Sequence, residues 1–334
     1  MPPSAPYKVV ITDVIADELA PEREVLGSLA RLEALNARTE DELEGRIEDA
    51  DALIVCNLVT LTRRSLEKLN RCRVIVRAGV GYDNIDLAAA RQRGIAVVNV
   101  PDYGVEEVAD SAIGLLLALT RGIVALNACM CAGSADWSHA RIAPLYRLRG
   151  RVFGVVGLGR IGTAAALRAR ALGMDVVFYD PYKPDGYDKA LGLRRADTLG
   201  ELLAQSFALS LHCPLTSETR HMIDAAALAC LPRGAYLINT ARGAVVDTAA
   251  LPPAIASGQL AGAGIDVLEC EPPPPEDPLI AAWRDPAHPA HYRVIITPHS
   301  AFYSEESLRE LRLKAAHACR SALLGLPLSN VVNP

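Results

Sequence analysis

The chain has 334 residues, of which 51% are hydrophobic and 22% charged, and its formal net charge is −5. That size and composition allow two domains with large cores and argue against a disordered chain. The acidic balance argues against a surface that binds nucleic-acid phosphates, and the longest apolar run, residues 112–119, is too short to cross a membrane.

The N-terminus and the cysteines bear on the compartment. The first six residues lack the basic and then apolar order of a signal peptide. The eight cysteines are scattered, and Cys129 and Cys131 form a C-x-C without a second pair at zinc-like spacing. We therefore expect a cytoplasmic protein with reduced thiols, no bound metal and no association with membranes or nucleic acid.

The first hundred residues alternate between two kinds of hydrophobic pattern. Short apolar runs predict strands at residues 8–12, 52–56, 74–77 and 96–100. Helical spacing predicts helices at residues 22–35, from a cap at Thr62 to Leu69, and at 85–93. This alternation is typical of a parallel sheet with helices on both faces.

Pro101 interrupts the alternation, which resumes further along the chain. Residues 105–121 are strongly apolar and predict a long buried helix, whereas residues 132–150 show no regular pattern. Strands are then expected at 152–156, 176–179, 207–211, 235–239, 262–266 and 294–297, and helices at 161–172, 199–205, 225–231 and 248–257. A Pro-rich stretch, 270–289, predicts a surface loop, and residues 304–324 predict a final amphipathic helix.

The most informative segment joins the first two strands of this second series. Gly157, Gly159 and Gly162 form a G-x-G-x-x-G directly after an apolar run, and Asp180 directly follows the next run. Strand, tight turn, helix, strand and acid is the order that holds a dinucleotide. The ordinary alternative is a glycine-rich connection that binds nothing, but the two flanking strands and the acid favour the dinucleotide.

Each of these residue types has a physical reason. Gly157 permits the sharp turn, Gly159 lets the backbone approach a pyrophosphate, and Gly162 lets the helix pack closely on the strand. The helix N-terminus then offers N–H groups and a partial positive charge to the phosphates. Asp180 would accept hydrogen bonds from the ribose hydroxyls and repel a 2′-phosphate, which favours NAD over NADP.

Three later segments, 238–243, 266–272 and 297–300, follow predicted strands, and ligands gather at the carboxyl ends of strands in such sheets. They supply Arg242, Glu271 and His299. His299 suits proton transfer to a carbonyl oxygen, Glu271 would orient the ring, and Arg242 offers a fork of donors to a 2-keto acid. Singly, each residue has an ordinary interpretation as a loop histidine, a turn or a surface charge. Their joint occurrence after the glycine segment favours an active site.

The motifs at residues 157–162, 239–243, 266–272 and 298–299 together resemble the D-isomer-specific 2-hydroxyacid dehydrogenases, over nearly the whole chain. Segments at 61–68, 75–86, 178–182 and 303–305 are most similar to the C-terminal-binding-protein-like branch. The resemblance implies an NAD-dependent oxidoreductase that interconverts a 2-keto acid and a D-2-hydroxy acid.

The resemblance also implies the α/β architecture. The expected protein has two doubly wound parallel-sheet domains. The first is a discontinuous flavodoxin-like substrate domain at 1–103 and 299–334, and the second is a Rossmann NAD-binding domain at 104–298. The cleft between them would close on the substrate. Homodimers through the cofactor domain are usual in such proteins.

The resemblance assigns roles to individual residues. It implies that the catalytic site consists of Arg242, Glu271 and His299. The cofactor contacts beyond the glycines and Asp180 would be Val105, Arg160, Ile161, Cys213, Pro214, Thr219, Thr240, Ala241 and Asp266. Substrate contacts would come from Arg77, Ala78, Gly79 and Phe302. Arg77 could instead form an interdomain salt bridge, and Phe302 stands where the corepressor branch carries a Trp.

Two other functions remain open at this stage. One is an NAD(H)-responsive binding protein of the corepressor type, with little turnover and a peptide groove in the first domain. The other is a phosphoglycerate dehydrogenase, which shares the same core. The identity of the 2-keto acid depends on loops that include residues 57–58, Tyr82 and Phe302.

Overall fold

The computed structural model describes residues 6–15, 17–133 and 137–334. The chain divides into two units, one formed by the residues up to Gly104 with Ser304–Pro334 and the other by Val105–Tyr303. The chain returns to the first unit at residue 304, five residues later than the sequence pattern indicated, so His299 belongs to the second unit.

The first unit is built on a parallel sheet in the order β2-β1-β3-β4-β5. Its strands are β1 (Tyr7–Ile11), β2 (Ala30–Ala34), β3 (Ala52–Val55), β4 (Val74–Arg77) and β5 (Ala96–Asn99). Its helices are α1 (Ala20–Leu26), α2 (Arg63–Leu66), α3 (Leu87–Gln92) and, after those of the second unit, α13 (Glu305–Leu323). Strands β3 and β4 are buried throughout, as expected for the centre of a sheet covered on both faces.

The C-terminal tail adds to the edge of this sheet. Val331 forms an antiparallel bridge with Val98 of β5, and the N–H of Val332 donates to the carbonyl of Val97 over 2.9 Å. The side-chain oxygen of Asn333 accepts from the Val97 N–H at 2.7 Å. The outer side of β5 is therefore paired.

The second unit is built on a longer parallel sheet in the order β12-β11-β10-β9-β6-β7-β8. Its strands are β6 (Val152–Val156), β7 (Asp175–Tyr179), β8 (Arg194–Arg195), β9 (Ala208–Leu211), β10 (Ala235–Asn239), β11 (Leu260–Ile265) and β12 (Val294–Ile296). Its helices are α4 (Val105–Thr120), α5 (Ile123–Cys131), α6 (Arg160–Ala171), α7 (Tyr187–Leu191), α8 (Leu199–Gln205), α9 (Ala225–Cys230), α10 (Leu251–Ala256), α11 (Pro278–Arg284) and α12 (Ala290–Arg293). The two parallel α/β sheets agree with the expected fold class.

The helix expected at residues 22–35 is wrong over its second half. Helix α1 ends at Leu26, followed by Gly27 with φ +48°, and residues 30–34 form β2 beside β1. These residues, Ala-Arg-Leu-Glu-Ala, are good helix formers. Hydrogen bonding to β1, which the local pattern does not reveal, overrides that propensity.

The composition of the Pro-rich stretch 270–289 predicts a surface loop, but part of this stretch is helical. Helix α11 begins at Pro278, and the Asp277 carboxylate accepts the N–H groups of Leu279 and Ile280 at 2.9 and 3.1 Å. Proline lacks a backbone N–H group, and it is compatible with the first turn of a helix because N–H groups at that position have no partner within the helix. In the irregular stretch 132–150, residues 134–136 lie outside the described part, and a single 3₁₀ turn occurs at Ala140–Ile142.

No single helix in the described part of the chain is long and apolar enough to cross a membrane. Helices α4 and α5 reach such a composition only when taken together, across a bend of 63°. Helix α4 buries Ala109, Ala112 and Leu116 completely, so core packing accounts for its apolar character.

Candidate active site

The glycine segment forms the connection from β6 to α6 that the sequence predicts. Gly157 has φ +85°, and a Cβ there would lie 2.9 Å from the backbone N of Cys213. A Cβ on Gly162 would overlap the carbonyl oxygen of Gly157, whereas a Cβ on Gly159 would meet no atom within 4 Å. Gly157 and Gly162 thus serve the packing of the turn, and the space at Gly159 suits the close approach of a ligand.

Asp180, directly after β7, accepts two backbone hydrogen bonds that the sequence did not reveal. Its Oδ2 accepts the Leu158 N–H of the glycine segment at 2.9 Å, and its Oδ1 accepts the Tyr182 N–H at 3.0 Å. Each carboxylate oxygen has a further lone pair for a ribose hydroxyl. The buried acid therefore fixes the glycine segment as well as offering a ribose acceptor.

The other expected cofactor residues lie in the same unit. Arg160 and Ile161 begin α6, and Val105 begins α4. Cys213 and Pro214 follow β9, and the Thr219 hydroxyl donates to the carbonyl of Pro214 at 2.7 Å. Thr240 and Ala241 follow β10.

Thr240 supplies a test of whether this region fits a bound dinucleotide. Its hydroxyl oxygen is buried and has no hydrogen-bond partner among the described residues. Buried polar atoms are nearly always paired, so such an atom fits a partner supplied by a ligand. Together with the space at Gly159, it makes these residues compatible with the cofactor.

His212 lies behind the glycine segment and was not predicted as a site residue. One ring nitrogen, Nε2, lies 2.8 Å from the Ser210 hydroxyl, and the other is buried without a partner in the described chain. Burial lowers the pKa of His212 to about 4, so the ring is neutral near pH 7. A histidine in a strand-end segment, directly before Cys213, is the signal that could have revealed it.

His299 and Glu271 form a direct pair. Nδ1 of His299 lies 2.6 Å from Oε2 of Glu271, and Oε1 of Glu271 accepts the Leu268 N–H at 2.8 Å. The carboxylate is thus held from its own loop and in turn orients the imidazole ring. His299 also has φ +51°, a conformation that non-glycine residues rarely adopt and that often occurs at functional sites.

Arg242 is carried by a segment packed against the loop of Glu271. The Asn239 side chain donates to the Arg242 carbonyl at 2.9 Å, and a guanidinium nitrogen of Arg242 donates to the Ala241 carbonyl at 2.8 Å. A Cβ on Gly243 would overlap the backbone of Leu268. The turn after β10 and the loop after β11 are therefore in contact, as parallel strand ends allow.

Asp266, expected among the cofactor contacts, hydrogen bonds to the loop of His299. Its Oδ1 accepts from the Thr297 hydroxyl at 2.6 Å and the Ser300 N–H at 3.0 Å. Its Oδ2 accepts the Ala301 N–H, also at 3.0 Å. Phe302 follows directly and is half-buried.

The expected substrate loop belongs to the first unit and follows β4. Arg77 is buried, and one guanidinium nitrogen donates to the Ala78 carbonyl at 2.7 Å. A Cβ on Gly79 would overlap that same guanidinium group. The arginine side chain therefore folds over its own loop, and only glycine at position 79 leaves room for it.

The comparison with known families agrees with this combination of fold and site. Residues 113–301 match the family model described as D-isomer specific 2-hydroxyacid dehydrogenase, NAD binding domain. The chain therefore belongs to the D-isomer-specific 2-hydroxyacid dehydrogenase family. The NAD-binding domain of that family lies within its second unit.

Individual relatives cover almost the whole chain. It is 36% identical over 326 residues to the D-3-phosphoglycerate dehydrogenase of Methanocaldococcus jannaschii, a match of 98% of this chain and 59% of that protein. It is 35% identical to C-terminal-binding protein 1 of Caenorhabditis elegans, over 91% of this chain and 42% of that protein. The chain thus spans about half the length of these relatives.

A solved structure is similar over its full length. The structure of D-lactate dehydrogenase from Aquifex aeolicus, complexed with NAD and lactic acid, has a TM-score of 0.84 and 30% identity to this chain. The match covers 98% of this chain and 99% of that one. The two-sheet fold is therefore that of the dehydrogenase family.

Proposed function

We propose that the protein is an NAD-dependent dehydrogenase that interconverts a 2-keto acid and a D-2-hydroxy acid. The observation that carries the proposal is the 2.6 Å pair of His299 and Glu271, in the unit that contains the glycine segment. A histidine oriented by a carboxylate suits reversible proton transfer at a carbonyl oxygen.

The proposed chemistry divides the work between cofactor and protein. Bound NADH supplies a hydride to the carbonyl carbon of the substrate. Protonated His299 gives a proton from Nε2 to the oxygen on which negative charge develops, and its Nδ1 stays hydrogen-bonded to Glu271. Arg242 binds the substrate carboxylate and carbonyl with its planar fork of donors. In the reverse direction, neutral His299 removes the hydroxyl proton.

The proposed cofactor contacts are those in the second unit. The N–H groups at the start of α6 would bind the pyrophosphate, Asp180 the ribose hydroxyls, and the buried Thr240 hydroxyl a polar group of the cofactor. The Asp180 charge would disfavour the 2′-phosphate of NADP. Cys213, Pro214, Thr219, Ala241 and Val105 would complete the walls.

We further propose that Arg77, Ala78 and Gly79 bind the substrate carboxylate and that Phe302 contacts the substrate. The loop after β4 supports the first role because it holds a buried guanidinium group over glycine backbone. A backbone N–H group beside a fixed cation, such as that of Gly79, is well suited to an anion, whereas the Ala78 N–H already donates to the Val55 carbonyl at 2.8 Å.

The decisive experiment follows NADH oxidation with a panel of 2-keto acids. We expect turnover of at least one of them, and His299→Ala should lower kcat by about 100-fold or more. His317→Ala, which changes an exposed histidine on α13, serves as the matched control and should leave kcat unchanged. If no keto acid is reduced, or if His299→Ala retains full turnover, the proposal is wrong.

The similarity to C-terminal-binding protein 1 favours one alternative, a binding protein whose partner surface responds to NAD(H). Such a protein would bind NADH with micromolar or better affinity in a fluorescence titration and reduce none of the keto acids. It would also retain a partner peptide only in the presence of the cofactor.

We also propose that the protein forms a homodimer through its second unit. Helix α5 exposes Ile123 and Val124, and a nearby cavity of about 370 Å³ is lined by Ala125, Trp283 and Tyr292. Exposed apolar side chains beside an apolar cavity are typical of an interface. Ile123→Lys should lower the mass measured by light scattering toward that of one chain. Leu167→Lys, at an exposed position on α6, should not.

A further inference from the structure

The carboxyl edge of the first sheet exposes an unusual set of side chains. Val14 follows β1, Leu58 follows β3, and Val80 and Tyr82 follow β4. Their exposed fractions are 41%, 43%, 37% and 38%. Strands β1, β3 and β4 are neighbours in the sheet, so these largely apolar side chains follow three adjacent strand ends. We call this group the apolar edge.

The loop that carries Leu58 is fixed on one side by Asp13. The Oδ1 of this buried carboxylate accepts the N–H groups of Leu58 and Val59 at 2.7 and 3.3 Å, and its Oδ2 accepts that of Cys56 at 2.8 Å. A carboxylate with several N–H donors holds a loop in one conformation. Leu58 is therefore exposed from a rigid backbone.

Asn84 fixes the same loop from the other side. Its side-chain amide donates to the carbonyls of Cys56 and Val59 at 2.9 and 2.8 Å, and its backbone carbonyl accepts the Leu61 N–H at 2.9 Å. Asn84 belongs to the loop after β4, which begins with the Ala78–Gly79 segment that we propose for the substrate carboxylate. The two loops are thus joined, and Leu58 stands in a fixed relation to that segment.

None of the three loops that form the apolar edge supplies a cation of its own. Of the segments that follow β1, β3 and β4, residues 12–19 contain two Asp and one Glu, residues 56–62 contain no charged residue, and residues 78–84 contain one Asp; none of the three contains Lys or Arg. Two cations on α13 already have acidic partners. Arg312 pairs with Asp17 and Glu22, and Lys314 lies 2.8 Å from Asp102 and 2.6 Å from Glu310. A second anionic group on a substrate would therefore find no Lys or Arg in these segments.

We infer that the substrate is a 2-keto acid with an apolar side chain, and that Leu58 selects it. This inference rests on the proposed function, because it takes the loop after β4 as the anchor for the carboxylate. With the carboxylate anchored there, the rest of the molecule lies against the apolar edge. An apolar contact gains from each methylene, whereas a phosphate or second carboxylate would lose its hydration with no cation from these segments to replace it.

The test compares kcat/KM for two sets of keto acids with NADH. The apolar set is 4-methyl-2-oxopentanoate and phenylpyruvate, and the anionic set is 2-oxoglutarate and 3-phosphohydroxypyruvate. We expect the apolar set to exceed the anionic set by about tenfold or more. Leu58→Arg should reverse that ratio by about ten- to a hundredfold, because it replaces an apolar contact by a cation.

Leu326→Arg makes the same change at a similarly exposed leucine after α13 and should keep the original ratio. NADH binding by each variant, measured by fluorescence, verifies that the second unit remains folded. Preference for the anionic set, or an unchanged ratio in Leu58→Arg, overturns this inference while the dehydrogenase proposal stands. Absence of turnover with every keto acid overturns both.

Discussion

The backbone N–H of His299 donates to the carbonyl of Asp266 over 2.8 Å. The Asp266 carboxylate accepts the N–H groups of the next two residues, Ser300 and Ala301. Asp266 lies directly after β11, so a rigid strand end holds the loop of the proposed acid–base catalyst at consecutive positions. This acid acts as a positioning residue for His299.

Replacement of Asp266 should therefore lower the rate more than it lowers cofactor affinity. In Asp266→Asn, the new NH₂ group would face a backbone N–H that donates to a carboxylate oxygen in the unmodified protein. The loop of His299 would therefore shift. We expect kcat to fall by about 10- to 100-fold while the Kd for NADH changes much less. Asp224→Asn is the control, because Asn caps α9 as well as Asp does. A large loss of NADH affinity with kcat retained would contradict this role.

The glycines of the β6–α6 turn should separate packing from ligand binding. Gly162→Ala should lower both the Tm and NADH affinity, since its Cβ would overlap the Gly157 carbonyl. Gly159→Ala should keep the Tm and weaken NADH binding alone, because its Cβ meets no protein atom within 4 Å. Gly114→Ala, in the exposed middle of α4 with similar space, should retain both properties. Equal effects at positions 159 and 162 would contradict this division.

Asp180 should set the choice between the two nicotinamide cofactors. Asp180→Asn removes the negative charge and keeps one oxygen to accept an N–H from Leu158 or Tyr182. We expect the ratio of kcat/KM for NADPH to that for NADH to rise about tenfold or more. The exposed substitution Asp185→Asn should leave the ratio as it is, and an unchanged ratio in Asp180→Asn would argue against charge as the discriminating factor.

The sequence predicts those parts of the fold that depend on local patterns. The strand at 235–239 and the helix at 199–205 have the expected bounds, and Thr62 caps α2 through its hydroxyl. The strand β2 could not be predicted, because its residues favour a helix and only pairing with β1 stabilises the strand. Local propensity thus failed where a tertiary partner decided the outcome.

The same distinction holds for the candidate site. The glycine motif and the pairing of Glu271 with His299 follow from residue types that their chemistry requires, and the two side chains are in contact. Asp13 and Asn84 showed no motif because their partners lie 25 to 46 residues away, and backbone groups carry no sequence signature. The residues that hold loops in place were therefore missed more often than those expected to react.

Arg312 should be the most sensitive charged residue on α13. Its side chain is 10% exposed and hydrogen bonds to both oxygens of Glu22 in α1, which is 1% exposed, and to Asp17 in the segment before α1. Arg312→Met leaves Glu22 buried without its cation and should lower the free energy of unfolding by about 3–5 kcal/mol. Arg309→Met breaks an exposed pair with Glu24 and should cost less than about 1 kcal/mol. Denaturant unfolding measures both, and similar losses would contradict the difference in burial.

His212 should make stability depend on pH. Burial lowers its folded-state pKa to about 4, whereas the unfolded chain takes up the proton near pH ~6.5. The free energy of unfolding should therefore fall as the pH drops through this window, by at most about 1.4 kcal/mol per pH unit. His212→Gln should flatten the dependence between pH 6.5 and 5, and His317→Gln, on the exposed face of α13, should not. An unchanged slope in His212→Gln would assign the effect to other groups.

The pairing of residues 331–333 with β5 has a consequence for how the folded chain behaves at high concentration. An outer strand with unpaired N–H and C=O groups recruits strands from other molecules. The tail already occupies that side of β5, and the opposite outer strand, β2, carries Arg31 and Glu33, whose charges discourage such stacking. Both borders of the first sheet are thus protected against intermolecular strand addition, and loss of residues 331–334 would open one of them.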